Sequence, residues 1–377
     1  MDDLSDRART WAATMSGHAG TPSIRTAHDA PPPAATPLTL LDRAAREGAE
    51  AASLAPGATL AHGAGNRRVA ESPDPIRTCF ERDRDRILHT TAFRRLAGKT
   101  QVFVLPADHQ RTRLTHALEV AQVARSIASA LRLNTALVEA IALGHDCGHG
   151  PGGHASEDAL SPYLAEGYDH AVWGADVALA DLNLCAETLD GIRNHSWSRP
   201  VPATPEGAVV SWADRIAYVC HDFEDAVAAG VVAEAMLPEA VVARCGSSRR
   251  EQLAAFIDGV IHAVLASGSI GMLEPAADAL AGFRRFNYEH IYLREASRHQ
   301  AALVVDVLQA LVEHYAARPE LLPEKLSGAL DAARGPGAYR AAVTYVGGMT
   351  DRFAFRTAQA ELGWPPERLP VGIDVES

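Results

Sequence analysis

The sequence lacks most of the features that define secreted, disulfide-rich and membrane-spanning proteins. Its five cysteines are an odd number at long, irregular spacings with no C-x-x-C pair, so neither a disulfide framework nor a thiolate zinc site is expected. No apolar run is long enough to cross a bilayer, and the first residues are charged where a signal peptide needs an apolar stretch. We therefore expect a cytoplasmic protein with no membrane partner.

Net positive charge is also lacking. The 35 basic and 47 acidic side chains give a net charge of −12, which argues against a protein whose whole surface binds nucleic acid. One local exception lies between residues 77 and 113, where nine basic side chains accompany four acidic ones. This run is either a phosphate-binding patch or a solvated surface of ion pairs, and the sequence leaves both interpretations open.

Composition divides the chain into three parts. Residues 1–72 are rich in Ala, Pro and Gly, which predicts a mostly flexible N-terminal arm with one short helix near residues 40–54. Residues 73–230 show helical periodicity and contain most of the histidines, so we expect the functional core there. Residues 231–377 continue with helical periodicity and are expected to pack on that core.

Helical patterns dominate from residue 77 onward, and the predicted fold is all-α. The predicted helices cover residues 113–132, 135–146, 209–229, 249–265, 289–316 and 325–333. Strand signals are weak and confined to short pieces such as residues 102–105.

Histidine and aspartate residues cluster on the inner faces of three of these helices. His116 precedes Val120 by one turn, and His145 follows two apolar positions of its helix at four- and seven-residue steps, so both rings should point inward. Asp146 is next to His145, and Asp214 begins a polar face within an otherwise apolar helix. Because a buried carboxylate without a partner is costly, a divalent cation held by these four side chains is expected.

A single histidine on an apolar helix face is more often a core residue than a ligand, and we interpret His89, His262 and His314 in that way. The His145-Asp146 pair differs, because it runs into a glycine-rich segment, CGHGPGGH at 147–154, that carries two more imidazoles. A helix that ends in ligands and continues into such a loop favours a phosphate or metal site.

These motifs resemble the deoxyguanosine-triphosphate triphosphohydrolase family of HD-domain phosphohydrolases. The matching segments are FERDRDRILH at 80–89, AFRRL at 92–96, KTQVF at 99–103, RTRLTH at 111–116, GHD at 144–146, GHASE at 153–157, DRIAY at 214–218 and GMTDRFA at 348–354. The resemblance spans roughly residues 66–355, and it makes residues 73–230 the expected HD phosphohydrolase core.

The resemblance implies hydrolysis of a deoxynucleoside triphosphate to deoxynucleoside and inorganic triphosphate. It implies a divalent metal, Mn²⁺ or Mg²⁺ first and Fe²⁺ or Zn²⁺ next, and a homo-oligomer. By position, the residues that it implies are the metal ligands His116, His145, Asp146 and Asp214, the catalytic residues His149, His154, Glu157 and His170, and the substrate-binding residues Arg95, Arg215, Tyr218 and Asp222.

The proposed roles also follow the chemistry of the residues. By resemblance Arg95 is the preferred α-phosphate contact, and Arg215, beside Asp214, is a second phosphate contact. Tyr218 and Asp222 are spaced to reach a deoxyribose. His154 and Glu157 are spaced as a proton-transfer pair, although Ser156-Glu157 is also a pattern that starts helices. One residue departs from the family, because Gly152 replaces its usual aromatic, and this predicts a larger sugar pocket.

Three functions remain open at this point. The first is a cytoplasmic dNTP triphosphohydrolase acting on dGTP or on several dNTPs. The second is an HD-type nucleotidase or phosphohydrolase of another nucleotide substrate. The third is a nucleotide- or single-stranded nucleic-acid-binding scaffold that uses the basic residues between positions 77 and 113.

Overall fold

The computed structural model describes residues 5–19, 24–29, 39–327 and 336–372. By its internal contacts the chain divides into two compact units, residues 1–41 and residues 42–377. The described part of the first unit contains α1 (Asp6–Ala13) and a two-stranded antiparallel sheet of β1 (His18–Ala19) and β2 (Arg25–Thr26).

The described part of the second unit is helical. Its helices are α2 (Arg43–Ser53), α3 (Cys79–Leu88), α4 (Thr91–Arg95), α5 (Arg113–Ala130), α6 (Thr135–Gly144), α7 (Ala155–Leu160), α8 (His170–Trp173), α9 (Ala186–Arg193), α10 (Pro205–Ala228), α11 (Glu239–Cys245), α12 (Arg249–Ser267), α13 (Glu274–Asn287), α14 (Glu295–Ala317), α15 (Glu324–Ser327), α16 (Pro336–Gly347) and α17 (Asp351–Leu362). Short 3-10 turns lie at Leu96–Gly98, Ser161–Tyr163, Ala180–Leu182, Glu234–Met236, Pro319–Leu321 and Pro366–Arg368, and π-helical segments at Gly174–Ala178 and Tyr288–Tyr292.

The helices that carry the predicted ligands form the centre of this unit. α6 packs against α3 and α5, and α10 packs against α5 and α6. Local sequence sets where two of them begin: the Asn134 side chain accepts a hydrogen bond from Leu137 N, and Thr204 accepts one from Gly207 N just before Pro205. Burial of the apolar faces then fixes how the helices lie against each other, which brings the start of α5, the end of α6 and the middle of α10 together.

A second apolar cluster lies in the C-terminal part of the chain. α14 packs against α7, α16 and α17, and it buries Val304, Val307, Leu308 and Leu311 completely. Because α7 directly follows the glycine-rich segment, this cluster places C-terminal residues beside the predicted site.

The all-α prediction is confirmed. The helices predicted at 113–132, 135–146, 209–229 and 249–265 correspond to α5, α6, α10 and α12, with ends that differ by a few residues. The helix predicted at 289–316 is interrupted, because Tyr288–Tyr292 is π-helical and α14 begins only at Glu295. The helix predicted at 325–333 overlaps α15, and its remainder lies outside the described residues.

One prediction of local structure was wrong. Residues 102–105 form bends rather than a strand, and the β-strands described lie at His18–Ala19 and Arg25–Thr26. The boundaries predicted at residues 72 and 230 remain predictions, while the division by contacts falls after Leu41. Residues 42–72 are tied to the helical unit by polar contacts: Thr59 donates to Glu206 through its backbone N and its Oγ1, and Arg67 forms an ion pair with buried Asp83.

Two negative expectations concern the thiols and the membrane. Each of the five cysteines is a buried free thiol in the structure. Among the described helices, none combines the length and apolar character needed to cross a bilayer.

Candidate metal centre and active site

Four predicted ligands meet where three central helices converge. His116 lies in the first turn of α5, His145 and Asp146 directly follow the end of α6, and Asp214 lies in the middle of α10. His116, His145 and Asp146 are each at most 3% exposed, while the Asp214 side chain is about one-fifth exposed, at 21%. One side of the cluster is therefore open to an incoming molecule.

The distances between these side chains suit a shared cation. His116 Nε2 is 3.1 Å from Asp214 Oδ1 and 3.8 Å from Asp146 Oδ2. His145 Nε2 is 3.4 Å from Asp146 Oδ1 and 3.7 Å from Asp214 Oδ1. Ligands that bind one ion at about 2.0–2.2 Å are separated from each other by distances of this order.

The hydrogen bonding of His145 also fits a metal ligand. Its Nδ1 donates to the carbonyl oxygen of Ala142 over 2.6 Å, so Nε2 is the nitrogen that faces the two carboxylates. This buried Nε2 has no hydrogen-bond partner among the residues that the structure describes. A backbone carbonyl that fixes the far nitrogen of an imidazole is a common support for metal-bound histidine. The four residues therefore fit a divalent cation.

The two carboxylates are held in their charged form. Burial alone would raise the pKa of Asp146, but His145 and Arg113 beside it hold that pKa well below its usual range. Burial acts on Asp214 in the same way, but the hydrogen bond from His116 and the neighbouring imidazole of His145 hold its pKa well below the usual range. Both side chains are thus ionised at neutral pH, as metal binding requires.

A second group of imidazoles adjoins the first. Glu157 connects two of them, since its Oε1 is 2.7 Å from His170 Nδ1 and its Oε2 is 3.2 Å from His154 Nδ1. The His149 ring stacks on the His170 ring at 3.8 Å, and His149 Nε2 lies 3.2 Å from Asp146 Oδ1. The four predicted catalytic residues are therefore contiguous with the predicted ligands.

Glu157 behaves as a bridge between imidazoles rather than as a helix cap. Burial would raise its pKa, yet hydrogen bonds from His154 and His170 hold that pKa far below the usual range. α7 has no side-chain cap at its start, while Glu157 Oε1 accepts a hydrogen bond from the backbone N of His170 at 2.9 Å. His154 is 73% exposed, so its ring faces solvent and remains accessible to a substrate.

His195 belongs to the same cluster and was missed by the sequence interpretation. Its Nδ1 lies 2.8 Å from the carbonyl oxygen of Ile192, and its Nε2 lies 3.2 Å from His170 Nε2. Its ring meets the His145 ring edge to face at 4.9 Å. The signal was the density of histidines between His109 and His195, but His195 follows α9 without the periodicity that marked the other residues.

The predicted phosphate contacts separate in space. Arg95 donates to the carbonyl oxygen of Gly348, in a groove that Tyr345 and Phe353 also line, and it makes no hydrogen bond to the clustered histidines in the described part of the chain. Arg113, which the sequence interpretation did not single out, lies inside the cluster with its Nη1 2.7 Å from Asp146 Oδ2. The Arg113 side chain is 3% exposed.

Arg215 lies on the face of Trp197, with its guanidinium carbon 3.5 Å from the ring centroid. Neither Arg113 Nε nor Arg215 Nε has a hydrogen-bond partner within the described ranges. Both arginines therefore retain donors for a further anion, whereas most arginines between positions 77 and 86 already pair with Asp74, Glu71, Asp85 or Glu139.

The predicted sugar-binding face is already braced by C-terminal residues. Tyr218 OH accepts a hydrogen bond of 2.7 Å from Arg284 Nε, and Asp222 Oδ2 accepts one of 2.5 Å from Tyr292 OH. Burial raises the pKa of Asp222 to about 7, so this carboxyl is partly protonated near neutral pH. Its Oδ1 has no partner among the described residues, which leaves one oxygen for a ligand.

Two smaller expectations need correction. Gly152 does not enlarge a sugar pocket, because it is buried at φ +73° and a Cβ there would lie only 2.4 Å from Val304 Cγ1. His89 and His262 are exposed, and His314 is partly buried beside Glu361, so none of these three is a fully buried core residue.

Two family models match this chain. Residues 113–219 match the family model of the HD domain, and residues 270–360 match the phosphohydrolase-associated domain. The four predicted metal ligands lie within the first match. These matches define the class of the chain as an HD-domain phosphohydrolase.

Close relatives narrow the class. A protein of Caldanaerobacter subterraneus subsp. tengcongensis is 40% identical over 77% of this chain and 86% of its own length, and one of Clostridium perfringens strain 13 is 39% identical over 76% and 87%. A third, from Deinococcus deserti, is 36% identical over 85% and 97%. All three are named deoxyguanosinetriphosphate triphosphohydrolase-like proteins, and this chain belongs to that family.

Among solved structures, a phosphohydrolase from Bacteroides thetaiotaomicron shares 17% identity with a TM-score of 0.48, covering 73% of this chain and 68% of that one. A likeness of that size adds nothing to the assignment.

Proposed function

We propose that the protein is a metal-dependent hydrolase that converts deoxynucleoside triphosphates, dGTP or several dNTPs, to deoxynucleoside and inorganic triphosphate. The observation that carries the proposal is the buried junction of His116, His145, Asp146 and Asp214 with Arg113 beside it. Ionised carboxylates for a cation and arginine donors for an anion lie within one cluster. The names of the relatives support the same substrate class.

His116, His145, Asp146 and Asp214 would hold the divalent metal, with Mn²⁺ or Mg²⁺ as the first candidates. When bound, such an ion lowers the pKa of water and neutralises charge that develops on a phosphoryl oxygen. Asp146 is shared between this role and Arg113, since one carboxylate oxygen faces His145 and His149 and the other accepts from Arg113. The chain would thereby hold Arg113 beside a cation bound at this site.

Arg113 and Arg215 would bind the phosphates. Each has a partnerless Nε within the described ranges, and each lies next to a predicted metal ligand, in space or along the chain. A buried guanidinium favours an anionic ligand strongly, because the ligand replaces hydration that the side chain has already lost. This role moves the expected α-phosphate contact from Arg95 to Arg113.

His154, Glu157 and His170 would carry out the proton transfer to the leaving group. In the reaction a water oxygen bonds to the α-phosphorus and the bond from that phosphorus to O5′ breaks, so the attacking water must lose a proton and O5′ must gain one. The exposed His154 ring can deliver that proton, and the Glu157 carboxylate, 3.2 Å from His154 Nδ1, orients the ring. His170 and His149 would hold Glu157 and Asp146 in place from the buried side.

Tyr218 and Asp222 would bind the deoxyribose and discriminate it from ribose. Asp222 Oδ1 is available to the 3′-hydroxyl, while Tyr292 fixes the other oxygen. Arg284 fixes the Tyr218 hydroxyl, so the ring can present its edge to C2′. The proposal includes a cytoplasmic location, a homo-oligomer and at most weak binding of single-stranded nucleic acid.

The test is chromatography of the products from each dNTP, and from GTP, after incubation with the protein and Mn²⁺ or Mg²⁺. The proposal expects deoxynucleoside and intact triphosphate in equal amounts from at least one dNTP. Release of phosphate or pyrophosphate would instead favour a nucleotidase of another kind. Binding without turnover of any nucleotide would favour the scaffold.

A further inference from the structure

The glycine-rich segment Cys147–Gly153 carries His149 and leads into His154, and it is buried along its whole length. A buried loop must find partners for its peptide groups, because an unpaired group away from water is costly. Two of these partners are uncharged: Gly150 N donates to Ser156 Oγ at 3.0 Å, and Tyr168 OH donates to the Gly148 carbonyl at 2.6 Å.

Two other partners are charged and come from distant parts of the chain. Lys99 Nζ donates to the carbonyl oxygen of His149 and, over 3.0 Å, to that of Gly347. Asp351 Oδ1 accepts from Gly152 N over 2.8 Å, and its Oδ2 accepts from both the N and the Oγ1 of Thr100 at 2.9 and 2.6 Å. The two charges therefore hold the loop at His149 and at Gly152.

Both charged groups are almost completely buried, with Lys99 3% and Asp351 2% exposed. Burial lowers the pKa of Lys99 to about 8 and raises that of Asp351, so holding these two charges inside the protein is costly. Neutral side chains of similar shape would fill the same space at lower cost. The cost of burying these two charges is therefore better explained if they position the loop than if they stabilise the fold.

The loop has little freedom to find another position. Gly152 and Gly153 have φ values of +73° and +64°, and a Cβ at Gly153 would meet Thr100 O at 3.0 Å and Arg113 Nη2 at 2.9 Å. Val304 blocks the other side at Gly152. A shift of the loop would therefore displace the His149 ring from Asp146 and the His154 ring from Glu157.

We propose that Lys99 and Asp351 are positioning residues that clamp the glycine-rich loop and thereby set the places of His149 and His154 in the active site. The clamp is the route by which the C-terminal residues Gly347 and Asp351 control the chemistry of the HD domain. The inference rests on the proposed function, because it assigns the clamp to a site that hydrolyses a phosphoester.

The decisive variant is Asp351→Asn, which keeps the shape but places an amide donor against backbone and hydroxyl donors. A displacement on the order of 1 Å at a reacting group lowers turnover by about 100-fold, so we expect kcat for the best dNTP to fall by about 10- to 100-fold. The KM should change much less, because the arginines and metal ligands stay in place. Metal content per chain should equal that of the parent.

Asp83→Asn is the matched control. Asp83 is fully buried and also accepts three hydrogen bonds, from Arg67, Cys185 N and Thr188 Oγ1, but none of these residues belongs to the site. If Asp351 acts only on stability, both variants should lose kcat equally when their losses in Tm are equal. That result, or a kcat within about twofold of the parent for Asp351→Asn, would overturn the clamp.

Thr100→Val gives a milder version in case Asp351→Asn fails to fold. It removes the hydroxyl bond to Asp351 and leaves the backbone bond, so we expect a smaller loss of kcat with an unchanged KM. An unchanged kcat in a folded Thr100→Val protein, together with an unfolded Asp351→Asn protein, would count against positioning and for stability alone.

Hydrogen–deuterium exchange separates failure of the clamp from failure of the proposed function. The amides of residues 147–160 should exchange faster in Asp351→Asn than in the parent, and at the parent's rate in Asp83→Asn. This expectation does not depend on which reaction the protein catalyses. Faster exchange in a chain whose parent hydrolyses no nucleotide would refute the function but keep the clamp. Unchanged exchange with an active parent would refute the clamp alone.

Discussion

Asp222→Asn should make the protein more stable at neutral pH, and the gain should disappear in acid. The Asp222 carboxyl is 4% exposed, and burial raises its pKa from 3.8 to about 7 despite the hydrogen bond from Tyr292. Between these values the unfolded chain has released the proton while the folded chain still holds it. The folded state therefore loses stability as pH rises from about 4 to about 7.

The interval between the two pKa values sets the size of the effect. Each pH unit within it corresponds to about 1.4 kcal/mol, which gives an upper bound of about 4 kcal/mol for the whole interval. An asparagine has the same shape, can accept the hydrogen bond from Tyr292 and does not ionise. The variant should thus match the parent near pH 4 and exceed its free energy of unfolding by up to about 4 kcal/mol at pH 7.5.

Urea unfolding of the parent and of Asp222→Asn between pH 4.5 and 8, at constant ionic strength, measures this difference directly. The difference should rise with pH and become level above about pH 7. A difference that is constant across the range would refute the reasoning, because it would mean that Asp222 ionises at the same pH in the folded and unfolded states.

Three further predictions concern the site itself. His145→Ala or Asp146→Ala should abolish both turnover and the binding of about one metal ion per chain. Losing a residue that hydrogen-bonds to a ligand lowers metal affinity by about 10- to 100-fold, and losing the ligand itself should cost more. An unchanged metal content in the purified variants would contradict this prediction. Arg113→Gln should lower kcat/KM by at least about 100-fold and Arg95→Gln by less than about tenfold, because only Arg113 contacts a predicted metal ligand. A larger loss of kcat/KM in Arg95→Gln than in Arg113→Gln would restore Arg95 as the phosphate contact. The parent should prefer dGTP to GTP, and Tyr218→Ala should narrow the gap by admitting GTP; equal rates for both nucleotides, with no response to the variant, would exclude a sugar gate at this side chain.

Periodicity was sufficient to predict which side chains would meet. His116 and His145 continue the apolar face of their helices, so burial of those faces turns both rings inward. Asp146 is buried with them because it is the next residue after His145. Asp214 begins a polar face of α10, and burial of the apolar residues beside that face places it at the same junction. The predicted ligand set therefore came from local sequence and from the packing of three helices.

Residues outside regular periodicity were not predictable in this way. Arg95 and Arg113 look alike in a basic segment, and only the tertiary structure shows that one faces a groove near Gly348 and the other faces Asp146. His195 sits beyond the end of its helix, and its place depends on how α9 packs. Asp351 lies about 200 residues after Gly152, so no pattern in the sequence could reveal their hydrogen bond.

The central claim is that the cluster directs water to the α-phosphorus of a deoxynucleoside triphosphate, and isotope labelling tests it most directly. Hydrolysis of dGTP in water enriched in ¹⁸O should place one labelled oxygen in inorganic triphosphate and none in deoxyguanosine, as mass spectrometry of the separated products would show. Label in deoxyguanosine, or labelled phosphate or pyrophosphate in place of triphosphate, would contradict the account.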